Sequence, residues 1–296
     1  MADLVVFGED WGGLPSSTQH LIKHLLKKHR VIWVNSIGMR SPQLNRQDLF
    51  RLFHKAVNML KPVQKKPWTV FNNSPLIINP KVIPFHGIKP IRCLNTYLLR
   101  RAILKVMGKE DFSDILLWIS LPTAVDLVGR LGEKASLYYC GDDFEALDGV
   151  DHKIVAPLER KLVSCVDVVL VASEKLADKY PEKTPVILPH GVDFELFSKP
   201  MPRPFDLPAQ GQIAGFYGSL SNWLDIEMLA QSATALSNWH FVFIGPVKTD
   251  ISTLENLPNT HFLGPRPHSQ LPSYVQHWDV ALLPFRKTPQ IRACNP

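Results

Sequence analysis

Short apolar runs recur along this chain, each followed by a loop and then a segment of helical period, and that alternation constrains the fold more than any other feature. Asp3 to Phe7 is a strand-length run ending at Gly8, and Glu9 to Pro15 form a glycine-containing loop. Ser16 to His29 then places Leu21, Ile22, Leu25 and Leu26 on one helical face. Ser16 with Gln19 three residues on is a capping-box signature. Arg30 to Val34 supplies the next strand. A strand, a crossover helix and a second strand imply a parallel sheet covered on both faces.

The pattern returns as Ile115 to Ile119, a helix from Thr123 to Leu131, Ser136 to Cys140, a helix from Ile154 to Cys165, and Asp167 to Ala172. A short helix from Glu174, a strand at Val186 to Leu188 and a turn at Pro189 to Asp193 close a first domain, 1–195. Residues 196–212 carry four prolines (200, 202, 204, 208), which suits a linker. A second set occupies 213–296. Strands Ile213 to Tyr217, His240 to Ile244 and His261 to Leu263 each end on glycine, with helices Leu224 to Leu236 and Leu271 to Gln276 and a strand from Val280 to Pro284. The predicted fold class is α/β, two Rossmann-like doubly wound domains facing a cleft. The second is expected to be incomplete, because no helix follows to cover its last strand. Ligands of such sheets bind at the carboxyl ends of the strands.

No stretch offers the ~18 uncharged apolar residues of a membrane span, and the N-terminus lacks a basic secretory leader, so the cytoplasm is the expected compartment. Cys93, Cys140, Cys165 and Cys294 form no CxxC pair and read as buried free thiols. The net charge of +6 conceals an asymmetry: residues 40–109 hold 14 Lys and Arg against one acid, Asp48. Two basic amphipathic helices are expected there, Gln47 to Leu60 with Arg51 and Lys55, and Ile91 to Met107 with Arg100, Arg101 and Lys105. Such a block suits an anionic membrane surface or an anionic acceptor, the alternative being a solvated face without a partner.

The first loop, with Gly12, Gly13 and Ser16, lies between a strand and a helix N-terminus, where free amides favour an anion; a tight turn without ligand is the other reading. It is neither G-x-G-x-x-G nor a Walker loop. Tyr138-Tyr139-Cys140-Gly141-Asp142-Asp143-Phe144 sets two carboxylates directly beyond a buried strand. Either one holds a raised pKa and acts as a general base, or one merely caps the following turn. His86, His190 and His268 have no ligand spacing, so no metal is expected, and His190 is assigned to orienting a hinge.

Together these segments resemble the GT-B glycosyltransferases, especially the family 4 and family 1-like bacterial enzymes of surface-polysaccharide synthesis. The resemblance rests on Gly12-Gly13, YYCGDDF, Ala172-Ser173-Glu174, Pro189-His190-Gly191-Val192-Asp193, FYGSLSNWLDIEML, FVFIGP, NTHFLGPRPHSQLPSYV and WDVALLPF, in that order. It implies metal-independent hexosyl transfer with no cofactor, from a nucleotide-sugar co-substrate such as a UDP-sugar to a lipid-linked or glycan acceptor. It places the donor on Gly218, Ser219, Gly245, Pro246, Gly264 and Arg266, and the acceptor on the first domain beside Asp142 or Asp143. An anionic membrane surface is a further expected partner, reached from the inner face; nucleic acid is not expected. Two departures stand out. Asp225 falls near the position where many relatives hold the diphosphate with Lys, and the sequence given stops before the helix whose two glutamates contact the donor sugar, so inactivity of the chain as given is expected. The rival readings are a GT-B nucleotide-sugar epimerase, and a non-catalytic membrane or nucleic-acid binding protein.

Overall fold

The computed structural model describes residues 2–13, 16–37, 74–83, 85–147 and 149–293. The expected helix at Gln47 to Leu60, with Arg51 and Lys55, and Cys294 lie outside these residues. The chain divides into two compact units, one running to His190 and rejoined by Ala293, the other Gly191–Arg292.

The first unit contains β1 (Leu4–Phe7), α1 (Ser17–Leu25), β2 (Val31–Val34), β3 (Leu76–Ile78), α2 (Lys89–Lys109), β4 (Leu116–Ile119), β5 (Ala135–Cys140), α3 (His152–Cys165), β6 (Val168–Val171), α4 (Glu174–Ala177) and β7 (Val186–Ile187). Its strands pair in parallel in the order β3-β2-β1-β4-β5-β6-β7. The chain runs outward from β1 to β3 and then restarts at β4 on the other side of β1. That reversal creates a switch point at the carboxyl ends of β1 and β4, the place where doubly wound sheets open to a ligand.

Successive strand residues point to opposite faces. Val5 and Phe7 therefore join Ile32 and Val34 in one buried cluster, which α2 and α3 close with Leu99, Ile103, Val155 and Leu162. Leu4 and Val6 join Val31 and Trp33 in a second, closed by Ile22 of α1. Every residue of β1 and β2 is buried, so these strands show unbroken apolar runs rather than alternation.

The second unit contains α5 (Phe194–Phe197), β8 (Gln212–Tyr217), α6 (Ile226–Ala235), β9 (Trp239–Ile244), α7 (Ser252–Glu255), β10 (Thr260–Phe262), α8 (Leu271–Val275) and β11 (Val280–Ala281); α9 (Pro289–Ala293) follows. Its parallel sheet runs β10-β9-β8-β11, repeating the order of the first half of the other sheet. Phe241 and Phe243 enter one core, Val242 and Ile244 the other. The proline-rich residues 196–212 are packed within this unit. Leu207 is buried beside Ile213 and Tyr274, and the Gln276 side chain accepts from the Met201 amide at 3.0 Å.

Several local expectations are corrected. The helix expected from Thr123 to Leu131 is a 3-10 turn, Pro122–Leu127, and Gly129 and Gly132 follow with φ of +75° and +73°, which no helix continues through. Strand β3 was not foreseen, and the strand expected to reach Pro284 is only Val280–Ala281. Of the described thiols Cys140 is buried, whereas Cys93 and Cys165 are exposed.

Candidate functional site

The switch-point edge of the first unit gathers polar side chains from five strand ends. Ser16 caps α1, its Oγ accepting the Gln19 amide at 3.3 Å and donating to Glu9 Oε2 at 3.0 Å. In the next residue, Ser17 Oγ lies 2.6 Å from His190 Nδ1, tying the start of α1 to the turn after β7. Thr18 Oγ1 is 2.9 Å from Ser120 Oγ, which also accepts from Trp118 Nε1 beyond β4. These bonds pin the helix N-terminus between β1 and β4.

The loop before α1 is not a phosphate cradle. Gly12 N–H donates to Gln19 Oε1 at 3.0 Å and Gly13 N–H to Asp10 O at 3.0 Å, while Trp11 N–H donates to Asn35 Oδ1. The amides of Trp11, Gly12 and Gly13 are engaged within the protein, and the Glu9 carboxylate bound by Ser16 would repel an incoming anion. Gly12, Gly13 and Ser16 shape and cap the turn. Only half of the capping box forms, because the Gln19 side chain turns to Gly12.

The adjacent carboxylates after β5 separate into two roles. Asp143 is held at 2.5 Å by Lys179 and accepts the Glu145 amide, contacts that anchor the loop. Lys179 is also 3.7 Å from Glu159 Oε2, and Glu159 is buried with Tyr138 OH donating to its other oxygen at 2.5 Å. Burial raises the Glu159 pKa, with Lys179 opposing.

Among the described residues Asp142 has no such partner. Its side chain reaches solvent, yet the protein crowded around it raises its pKa; His190 counters that rise, and Glu9 and Asp143 reinforce it. A side chain at Gly141 would touch the rings of Tyr139 and His190, at 3.6 and 3.7 Å, so those rings flank the turn that presents Asp142. The buried Tyr139 hydroxyl lies near Ser17 without completing a hydrogen bond, and burial raises its pKa. Asp142, His190, Ser17 and Glu9 thus share one edge. The sequence reading assigned His190 to orienting a hinge and did not single out Ser17, which nothing in the sequence pairs with it.

In the second unit the glycines that end β8 and β9 lock together. Gly218 N–H donates to Ile244 O at 2.8 Å, Gly245 N–H to Gly264 O at 3.1 Å, and Leu220 N–H to Pro246 O at 3.0 Å. Gly218 and Gly245 have φ of +147° and +149°, and a Cβ on Gly245 would lie 1.8 Å from Gly218 O. The Gly218 amide is therefore not available to a diphosphate. Ser219 N–H keeps no partner among the described residues, and Ser219 Oγ meets Ser221 Oγ at 2.9 Å. The Arg266 guanidinium binds Tyr274 OH at 3.0 Å and Asp206 Oδ2 at 2.9 Å, contacts that raise its pKa. Asp225, suspected of repelling the diphosphate, is the N-cap of α6 and accepts the Met228 amide. Lys248, exposed beyond β9, brings a cation to the same loops.

Arg100, Arg101 and Lys105 are all exposed on α2. Among the described residues no cluster of three or more His, Cys, Asp or Glu could hold a metal, and no helix is long and apolar enough to cross a membrane.

No family model matches the chain. It is 25% identical over 201 residues to TuaH of Bacillus subtilis (strain 168), provisionally named a teichuronic acid biosynthesis glycosyltransferase; the match covers 61% of this chain. The chain spans about half the length of that relative, 51%. Among solved structures it resembles Anabaena Alr3699/HepE in complex with UDP and glucose, with TM-score 0.59 and 13% identity, over 95% of this chain and 73% of the other. It also resembles an E. coli trehalose-6-phosphate protein bound with UDP-2-fluoro glucose, with TM-score 0.59 and 14% identity, over 95% and 78%. Two parallel-sheet α/β units in tandem, each with the same strand order around its switch point, give this chain the GT-B fold of glycosyltransferases.

Proposed function

We propose that this protein is a glycosyltransferase that moves a hexosyl group from a nucleotide sugar, a UDP-sugar, to a lipid-linked or glycan acceptor in surface-polysaccharide synthesis, at the inner face of a membrane and without a metal. The observation that carries the reading is Asp142 lying within the electrostatic reach of His190, which Ser17 holds, at the switch-point edge of a GT-B first unit. The likeness to TuaH and to proteins crystallised with UDP and glucose or UDP-2-fluoro glucose supports the donor class.

In this reading the acceptor hydroxyl attacks the anomeric carbon. The new carbon–oxygen bond forms as the bond to the diphosphate oxygen breaks, nucleoside diphosphate leaves, and the hydroxyl proton passes to Asp142. A carboxylate whose pKa is raised is the stronger base. His190, held by Ser17, faces the same turn and stabilises the charged form of Asp142 before transfer. Ser219 N–H and Lys248 are suited to the growing negative charge on the leaving diphosphate.

The test, made on the full-length protein as are the kinetic predictions below, is nucleoside diphosphate release from UDP-, GDP- and ADP-hexoses with polyprenyl-phosphate and oligosaccharide acceptors. Acceptor-dependent release from a UDP-sugar is expected. Absence of release with every donor overturns the reading, and interconversion of free UDP-sugar without acceptor would show an epimerase instead.

A further inference from the structure

The hydroxyl of Tyr139, a residue only 2% exposed at the end of β5, is buried with no hydrogen-bond partner among the described residues. Burial raises its pKa above the ordinary tyrosine value of 10, so at neutral pH the group carries its proton and is a donor. A buried donor without an acceptor is costly. Ser17 lies beside this hydroxyl and offsets part of the rise in its pKa, and the rings of Tyr139 and His190 both flank Gly141.

Ser17 Oγ is also 2.6 Å from His190 Nδ1, so three groups stand in a row, and the buried end sets the direction of the protons along it. Ser17 has a single proton to give. With Tyr139 donating to Ser17 Oγ, that proton goes to Nδ1, and neutral His190 carries its own on Nε2. In the reverse order Nδ1–H donates to Ser17 and Ser17 to the Tyr139 oxygen, which leaves the phenol proton buried with no acceptor. That unmade bond disfavours the reverse order about fivefold or more. The His190 Cε1 lies beside Gly141, so Nε2, bonded to Cε1 and not engaged by Ser17, is the nitrogen at the turn that presents Asp142. The charge of Asp142 interacts with His190 and favours a proton on that same nitrogen.

We propose that Tyr139 is a positioning residue that donates to Ser17 and, through it, fixes His190 as the Nε2–H tautomer. Neutral His190 then offers the substrate side a donor and no acceptor, and taking up the proton there is left to Asp142. The tautomer stands on the geometry alone; its consequence for proton transfer rests on the proposed glycosyl transfer.

The test is the side-chain nitrogen spectrum of the full-length protein, its histidines labelled with nitrogen-15, at about pH 8.5, where ordinary imidazoles are neutral. His190 is assigned by its absence in His190→Gln. Its Nδ1 is expected at the frequency of a bare ring nitrogen and its Nε2 at that of a protonated one. Tyr139→Phe removes the hydroxyl alone and should draw the two frequencies together as the second tautomer fills. Ser17→Ala should do the same, and adding Tyr139→Phe to it should change nothing further. A parent spectrum with the proton on Nδ1 overturns the proposal, as does one that Tyr139→Phe leaves unchanged. In acceptor-dependent nucleoside diphosphate release, Tyr139→Phe should lower kcat about fivefold at unchanged KM, and not at all in the Ser17→Ala background. A loss of equal size in both backgrounds overturns the action through Ser17. If the parent releases no nucleoside diphosphate, the spectrum still decides the tautomer, so this proposal and the enzymatic reading fail separately.

Discussion

Replacing Lys179 by methionine tests how the loop that presents Asp142 is held. The Lys179 side chain is 19% exposed and bridges Asp143, 18% exposed, and Glu159, 1% exposed. Methionine keeps the volume of the stem and removes only the charge. Removing one partner from a buried ionic network typically costs about 3–5 kcal/mol. Here the lower end applies, because Asp143 can rehydrate and Glu159 can take up a proton. For a unit of about 190 residues, with unfolding entropy near 2.1 cal/mol/K per residue, a loss of about 3 kcal/mol lowers the melting temperature by roughly 7 °C.

The pH dependence fixes the mechanism. Glu159 already has a folded pKa above 4.5, so its contribution favours the native state at low pH and is lost as pH rises through the folded value. Lys179 opposes that rise, and without it the Glu159 pKa climbs further. The Lys179 pKa is itself raised above 10.5: burial lowers it, but the hydrogen bond to Asp143 and the charge of Glu159 outweigh burial. Its stabilisation is therefore fully present below pH 10.5 and is lost only above. The destabilisation of Lys179→Met should then grow from pH 5 to pH 8, measured by calorimetry on the transition of the first unit. Adding Glu159→Gln should recover part of the loss, as a double-mutant cycle. A melting temperature within 1 °C of the parent at pH 8, or a loss equal at both pH values, would refute the account.

Three further outcomes are expected. Asp142→Asn should lower kcat by about 10²–10⁴ without moving the melting temperature, and the parent's kcat/KM should fall toward acid with a limb above the ordinary aspartate value of 3.8. His190→Ala should shift that limb still higher, because His190 lowers the Asp142 pKa; a limb moving downward would contradict the assignment. Gly245→Ala should destabilise the second unit by roughly 3 kcal/mol or more, seen as loss of its calorimetric transition, since a Cβ at φ +149° would lie 1.8 Å from Gly218 O.

The sheets were readable because strands buried on both faces must be apolar throughout. Leu4–Phe7, Val31–Val34 and Trp239–Ile244 carry that mark, and the glycines closing β8 and β9 mark where two backbones nearly touch. β3 escaped because three residues beside Pro75 and Pro80 show no period of any kind. The candidate site was only half legible, for a different reason. Asp142 and Asp143 are indistinguishable as neighbours in a sequence; what separates them is Lys179, brought across from the end of α4 onto one carboxylate and not the other. In the same way Arg266 looks like a free cation until Asp206 and Tyr274 fold against it, and His190 looks like a turn residue until Ser17 meets it from the other end of the unit.

The strand order of the first sheet also bears on how the protein is made. β1 leaves the ribosome before β4 but lies inside the sheet, and the register that pairs Leu4 with Leu116 cannot form until β4 has been synthesised. At ~5–20 residues per second, that leaves one edge of Leu4–Phe7 unpaired for roughly 6–20 s, long against local folding times. During that interval the apolar strand edge is open to pairing with another chain. Truncations ending before β4 should accumulate as aggregates, not as partly folded monomers.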